Sequence, residues 1–218
     1  METLVRTLSL TLLLTSFFTV ESRNLRRALG AYMAQALVMV TIIACFATVH
    51  PSLWLWVATA FVTKFGLISW LLFHAIRGRD DREVEPFVGT GWSVVFIAVL
   101  ALIGWQLIHR NASFLAPTPL AEQEPYRTNV AVALTLLFVG MYCVLTRRDA
   151  IKVVMGVCLM ENGAHLSLVS LATAMRETVL IGIVTDVVVA VFLLLHLIQG
   201  IEDKLGTRDT GRLRELRW

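Results

Sequence analysis

Long apolar runs separated by short charged segments make up nearly the whole chain, and no run alternates with a period of two. Seven of them approach or exceed the roughly 20 residues that a helix needs to cross about 30 Å of hydrocarbon. They are Thr3–Val20, Ala28–Val49, Ser52–Ile76, Val88–Ile108, Val130–Thr146, Ala150–Ala172 and Thr178–Gln199. In lipid each backbone N–H and C=O must be satisfied within the protein, so runs of this kind form helices. The pattern therefore predicts an all-α, polytopic transmembrane bundle of about seven spans. The first run lacks a small-x-small cleavage site and leads into Glu21-Ser22-Arg23, so it reads as an uncleaved span. The stretch His109–Asn129 holds Pro117, Pro119 and Pro125 and reads as a connector.

Composition agrees with this reading. Hydrophobic residues make up 57% of the 218 and charged residues 16%, against about 25% charged in soluble domains. The net charge of +3 is not a nucleic-acid signature; its placement is what informs. Fourteen of the 19 basic residues fall in the segments after spans one, three, five and seven. Only Arg6, Arg110, Arg127 and Arg176 fall on the other side, and Lys64 lies inside a span. The positive-inside rule then places the N-terminus outside and the tail in the cytoplasm. Cys45, Cys143 and Cys158 lie in apolar runs without a CxxC pair, so neither a disulfide framework nor a metal or redox motif is expected. The chain shows no nucleophile–base pair and no phosphate-binding glycine loop, so no catalytic residue, cofactor or metal site is assigned.

The candidate chemistry lies inside the spans. Glu161 and His165 are one turn apart on one helix face, with Asn162 beside them, in the middle of span six. Lys64 is near the middle of span three and Asp186 in span seven. An ionisable group at that depth costs roughly 2.5–3.5 kcal/mol on insertion scales and marks a functional site by default. Three such groups at similar depth imply mutual pairing or a shared hydrated cavity, and Lys64 is expected to face the acids across the bundle interior. Structural interhelical pairing remains the alternative. His74 and His196 lie near the expected cytoplasmic interface as secondary candidates. Gly156 and Gly163 are expected to permit close helix packing.

The two ends of the chain resemble each other. Thr63-Lys64, His74 and Gly78 align with Thr185-Asp186, His196 and Gly200 at an offset of 122, and Gln35 aligns with Glu161 at 126. This suggests two parallel three-helix repeats related by an axis along the membrane normal. Residues 1–87 form the first, 88–129 a linker span with its outer loop, 130–200 the second, and 201–218 a cytoplasmic tail.

The run Cys158-Leu159-Met160-Glu161-Asn162-Gly163 with His165-Leu166 resembles the hydrogenase-4 component E family. Ile181-Gly182-Ile183 with Thr185-Asp186, Ala60-Phe61 with Thr63-Lys64, and Tyr32 with Gln35 fit the same pattern, so the similarity covers nearly the whole chain. The last three spans more distantly resemble the K-type subunit of respiratory complex I. There the acids would fall at Cys158 and Ala190; here they stand about one turn away, at Glu161 and Asp186. The resemblance implies a non-catalytic subunit of a complex-I-like hydrogenase in a prokaryotic cytoplasmic (inner) membrane. Its partners would be antiporter-like membrane subunits and soluble nickel-iron hydrogenase-type and iron-sulfur subunits. Glu161, Asp186, Lys64 and His165 would form a proton (or sodium) path, with His196, His74, Gln35 and Asn162 as secondary members. A structural adaptor and a stand-alone cation/proton transporter are the alternatives.

Overall fold

The computed structural model describes residues 1–77, 82–115, 123–171 and 177–212, and within these not the side chains of 109, 111–115, 177–181, 183 and 184. Seven long helices run through the described residues: α1 Glu2–Glu21, α2 Leu25–Ala47, α3 Pro51–Ile76, α4 Thr90–Leu115, α5 Tyr126–Thr146, α6 Ala150–Leu171 and α7 Glu177–Leu205. All seven are long and apolar enough to cross a membrane. Their order and number match the seven apolar runs.

Two boundaries differ from the sequence expectation. The connector is shorter than 109–129, because α4 continues to Leu115 and α5 begins at Tyr126. Nothing in 109–115 breaks a helix; the first proline is Pro117, which disfavours helical backbone at the residue before it. At the other end α7 continues past Gln199 to Leu205, through Glu202, Asp203 and Lys204. It stops where Gly206 takes a φ of 66°, the left-handed conformation that glycine supplies after helix ends.

The middle of α3 is unusual. Between α-helical turns at Trp54–Ala60 and Ser69–Ile76 it widens into a π-helix over Phe61–Ile68. The five-residue repeat is echoed by Ser69 Oγ, which donates to the Lys64 carbonyl at 3.2 Å. Such wide turns often mark functional positions, and this one carries Lys64.

The helices α5 and α6 form the axis of the bundle, with 67% and 61% of their spans buried, whereas α4 and α7 are peripheral at 22% and 17%. Glycines set the approach of the two axial helices. A Cβ on Gly140 would meet Met160 Cγ at 2.6 Å and the Gly156 carbonyl at 2.7 Å, and one on Gly163 would meet the Ala133 carbonyl at 2.7 Å. The close packing expected of Gly156 and Gly163 is found here, and Gly140 completes it. Around this pair, α1 lies on α2 and α5, α4 on α5, and α3 on α2, while α7 runs along α3 and touches α6. Two apolar clusters tie the layers together. One gathers Leu12, Met39, Trp56, Leu136 and Leu166; the other gathers Tyr32, Ile68, Leu72, Cys158 and Val191. Between them lies the polar site.

Candidate functional site

Lys64 is fully buried, and its Nζ donates to Glu161 Oε2 at 2.5 Å and to Asn162 Oδ1 at 2.7 Å. The wide turn of α3 sets the direction of its stem, and α6 supplies both acceptors from adjacent residues. The Glu161 side chain is 8% exposed. Its other oxygen, Oε1, lies 3.1 Å from Nε2 of His165, one turn further along α6. The two atoms are close but not aligned for a hydrogen bond, so among the described residues Oε1 and both imidazole nitrogens have no hydrogen-bond partner. Trp56 of α3 closes this side with its ring edge-on to His165, centroids 5.4 Å apart. Tyr32 of α2 and Cys158 of α6 complete the surroundings, both fully buried.

The carboxylate thus has two dissimilar faces. One oxygen is held by the ammonium in a charge-assisted bond, the stronger class of hydrogen bond. The other is an unused acceptor opposite an unused imidazole. The pair also offsets the cost of placing either charge among helices, since a buried ion is tolerated only when paired.

The remaining sequence candidates are elsewhere. Asp186 is exposed on the outer face of α7 and takes no part in the Lys64–Glu161 pair. The expectation that Lys64 would face both acids is corrected to one acid, because α7 packs along α3 with the Asp186 side turned away from the interior. Gln35 is buried between α1 and α2, where its amide donates to Ser16 Oγ at 2.9 Å. His74 and His196 are both exposed, and they line a cavity of about 240 Å³ between α3 and α7. His74 stacks on Trp70 and His196 on Phe192.

Two polar clusters escaped sequence reasoning. Ser9 donates to Asn129 Oδ1 at 2.5 Å, and Asn129 donates to Ser170 Oγ at 2.9 Å, joining α1, α5 and α6. The available signal was the seven-residue spacing of Ser9 and Ser16 on one face of α1. The second cluster lies at the end rich in basic residues. There Lys152, fully buried, donates to the carbonyls of Thr19 and Val20 at 2.6 and 3.1 Å, acceptors that the end of α1 leaves unsatisfied. Arg147 donates to Glu21 at 2.5 Å and to Glu83 at 3.4 Å, and Ser93 donates to Glu21. Burial pushes the Glu83 carboxyl above its ordinary value, opposed by the charges of Lys152 and Arg147. Asp149 caps α6 by accepting from the Ile151 N–H at 3.0 Å. In the sequence Arg147 and Lys152 served only as orientation charges; the helix ends convert them into a clamp. Among the described residues, no group of three or more His, Cys, Asp and Glu is gathered in metal-binding fashion.

Comparison with known proteins bears on the whole chain. A family model described as NADH-ubiquinone/plastoquinone oxidoreductase chain 4L matches residues 129–218. Hydrogenase-4 component E of Escherichia coli K12 is 31% identical over 216 residues, covering 98% of this chain and 97% of the relative. The component E of Shigella flexneri matches equally. An uncharacterized protein of Mycobacterium tuberculosis is 27% identical over 155 residues, covering 69% of this chain and 66% of its own length. No solved structure matches the chain.

Proposed function

The chain belongs to the hydrogenase-4 component E family, and from that premise we propose that Lys64, Glu161 and His165 form a proton-transfer site within a complex-I-like membrane assembly. The protein is a multi-pass membrane subunit of the complex-I-like class. Its setting would be the inner membrane of a prokaryote. Antiporter-like membrane subunits would lie beside it, and soluble nickel-iron and iron-sulfur subunits would carry the redox chemistry.

The carrying observation is the divided Glu161 carboxylate, with Lys64 on Oε2 and His165 facing Oε1 without an aligned bond. In the resting arrangement Lys64 donates to Glu161 Oε2. A shift of α3 at its wide turn would lengthen the Nζ–Oε2 contact, and the carboxylate would then take a proton from the His165 side or from water. Return of Lys64 would expel that proton from the carboxyl to water. The wide turn supports this reading, because a helix with five-residue repeats can revert locally to four and displace its side chains. His74 and His196 would be exchange points at the expected cytoplasmic end. Their shared cavity, with Trp70 and Phe192 stacked in step at the 122-residue offset, supports a duplicated three-helix unit. Gln35 and Asp186 would be outside the central path.

Glu161→Gln tests the proposal. The amide keeps the shape and an acceptor for Lys64 but cannot ionise. The variant is expected to assemble normally and to lose redox-driven ion movement in membrane vesicles. Full assembly with unchanged ion movement per electron transferred would overturn the relay. Reduced assembly with normal movement per assembled complex would instead favour a bracing role.

A further inference from the structure

The two peripheral helices differ in what they expose. From Trp92 to Ile103, the exposed face of α4 is purely apolar, with Trp92, Val95, Val99 and Leu102 among its residues, as a face against acyl chains requires. The exposed stripe of α7 is different. At helical spacing it presents Gly182, Thr185, Asp186, Val189, Leu193 and Gly200. Among the described residues a Cβ on Gly182 or Gly200 would meet nothing within 4 Å, so packing among them explains neither glycine. Small residues at helical spacing let another backbone approach closely in a membrane. Asp186 stands 16 residues before Glu202, the next charged residue of α7, about 24 Å along the axis, so it falls inside a hydrocarbon core of about 30 Å that ends near Glu202. A carboxylate at that depth turned to lipid is expensive, and such groups pair or face protein.

We infer that this face of α7 is a subunit interface, occupied by a transmembrane helix of another subunit that carries a lysine or arginine at the depth of Asp186. Charge complementarity selects this occupant over a second copy of the chain. Within the described spans, the one basic residue at mid-depth is Lys64, which is buried and bound to Glu161. A second copy packed through this same face of α7 would therefore meet Asp186 with apolar surface or another acid. The inference does not depend on proton transfer at Glu161, and Glu161→Gln leaves it untouched.

The test uses the complete assembly in its membrane. A photo-activatable phenylalanine analogue at Val189, one turn from Asp186, is expected to cross-link to a transmembrane helix of another subunit bearing Lys or Arg near the adduct. The same analogue at Val99 on α4 should give no protein adduct. Asp186→Lys is expected to reduce co-purification of the mapped subunit at least tenfold, and changing that subunit's basic residue to Asp should restore it. Adducts to lipid alone, to a second copy of this chain, or to a helix without a basic residue would overturn the inference. So would undiminished co-purification of Asp186→Lys, or a loss that the charge swap does not repair.

Discussion

Replacing Lys64 by Met isolates the energetic core of the site. Met preserves most of the apolar stem, so the change chiefly removes the ammonium and its bonds to Glu161 and Asn162. At 2.5 Å and an effective dielectric constant of about 20, the direct attraction is roughly 7 kcal/mol. Desolvation of the two charges offsets much of it, but removing one partner of a buried pair leaves the other uncompensated and costs about 3–5 kcal/mol. For a chain of this size that corresponds to a midpoint roughly 6–20 °C lower. The double variant Lys64→Met, Glu161→Met removes both charges and should recover most of the loss, because apolar replacement of a whole buried pair is often neutral or stabilising. The assay is the thermal midpoint of the detergent-solubilised assembly for wild type, both single Met variants and the double, read as a double-mutant cycle. A Lys64→Met midpoint within a few degrees of wild type would refute the reasoning, as would a double variant no more stable than the Lys64→Met single.

Two further outcomes follow from the packing and from the basic end. Gly140→Ala places a methyl where the Met160 side chain and the Gly156 carbonyl already stand, and should destabilise the α5–α6 pair by about 1–3 kcal/mol, seen as reduced yield of folded protein on size exclusion. Glu83 has a folded pKa above its ordinary 4.5, so its contribution to stability is full below that value and is lost as pH rises through the folded one. Relative to wild type, Glu83→Gln should therefore gain stability as pH rises above the ordinary 4.5 and through the folded pKa; a relative loss over that rise would contradict burial as the dominant cause.

Part of the site is legible in the amino-acid sequence. Glu161, Asn162 and His165 share a helix face whatever the tertiary arrangement, because a 3.6-residue repeat fixes neighbours at i and i+4. Lys64 stands out by its depth in the span alone. Its partner does not, since Glu161 and Asp186 are both carboxylates at comparable depth and the internal repeat aligns Lys64 with Asp186. Alignment between repeats records equivalent positions, which is not the same as contact. The wide turn at Phe61–Ile68 leaves no pattern that distinguishes it from an ordinary apolar helix.

What the sequence by itself determined is the number and order of the spans. Those follow from the cost of exposing backbone polar groups to hydrocarbon, a property of each segment taken alone. Which faces meet is a different quantity, because every apolar face is almost equally at home in lipid and hydrophobicity does not choose among neighbours. Only the tertiary structure decided that. The glycines of α5 and α6 set the closest approach, the clamp of Arg147 and Lys152 fixes the end of α1, and α7 comes to lie along α3. Together they turn Glu161 inward to Lys64 and leave Asp186 facing out.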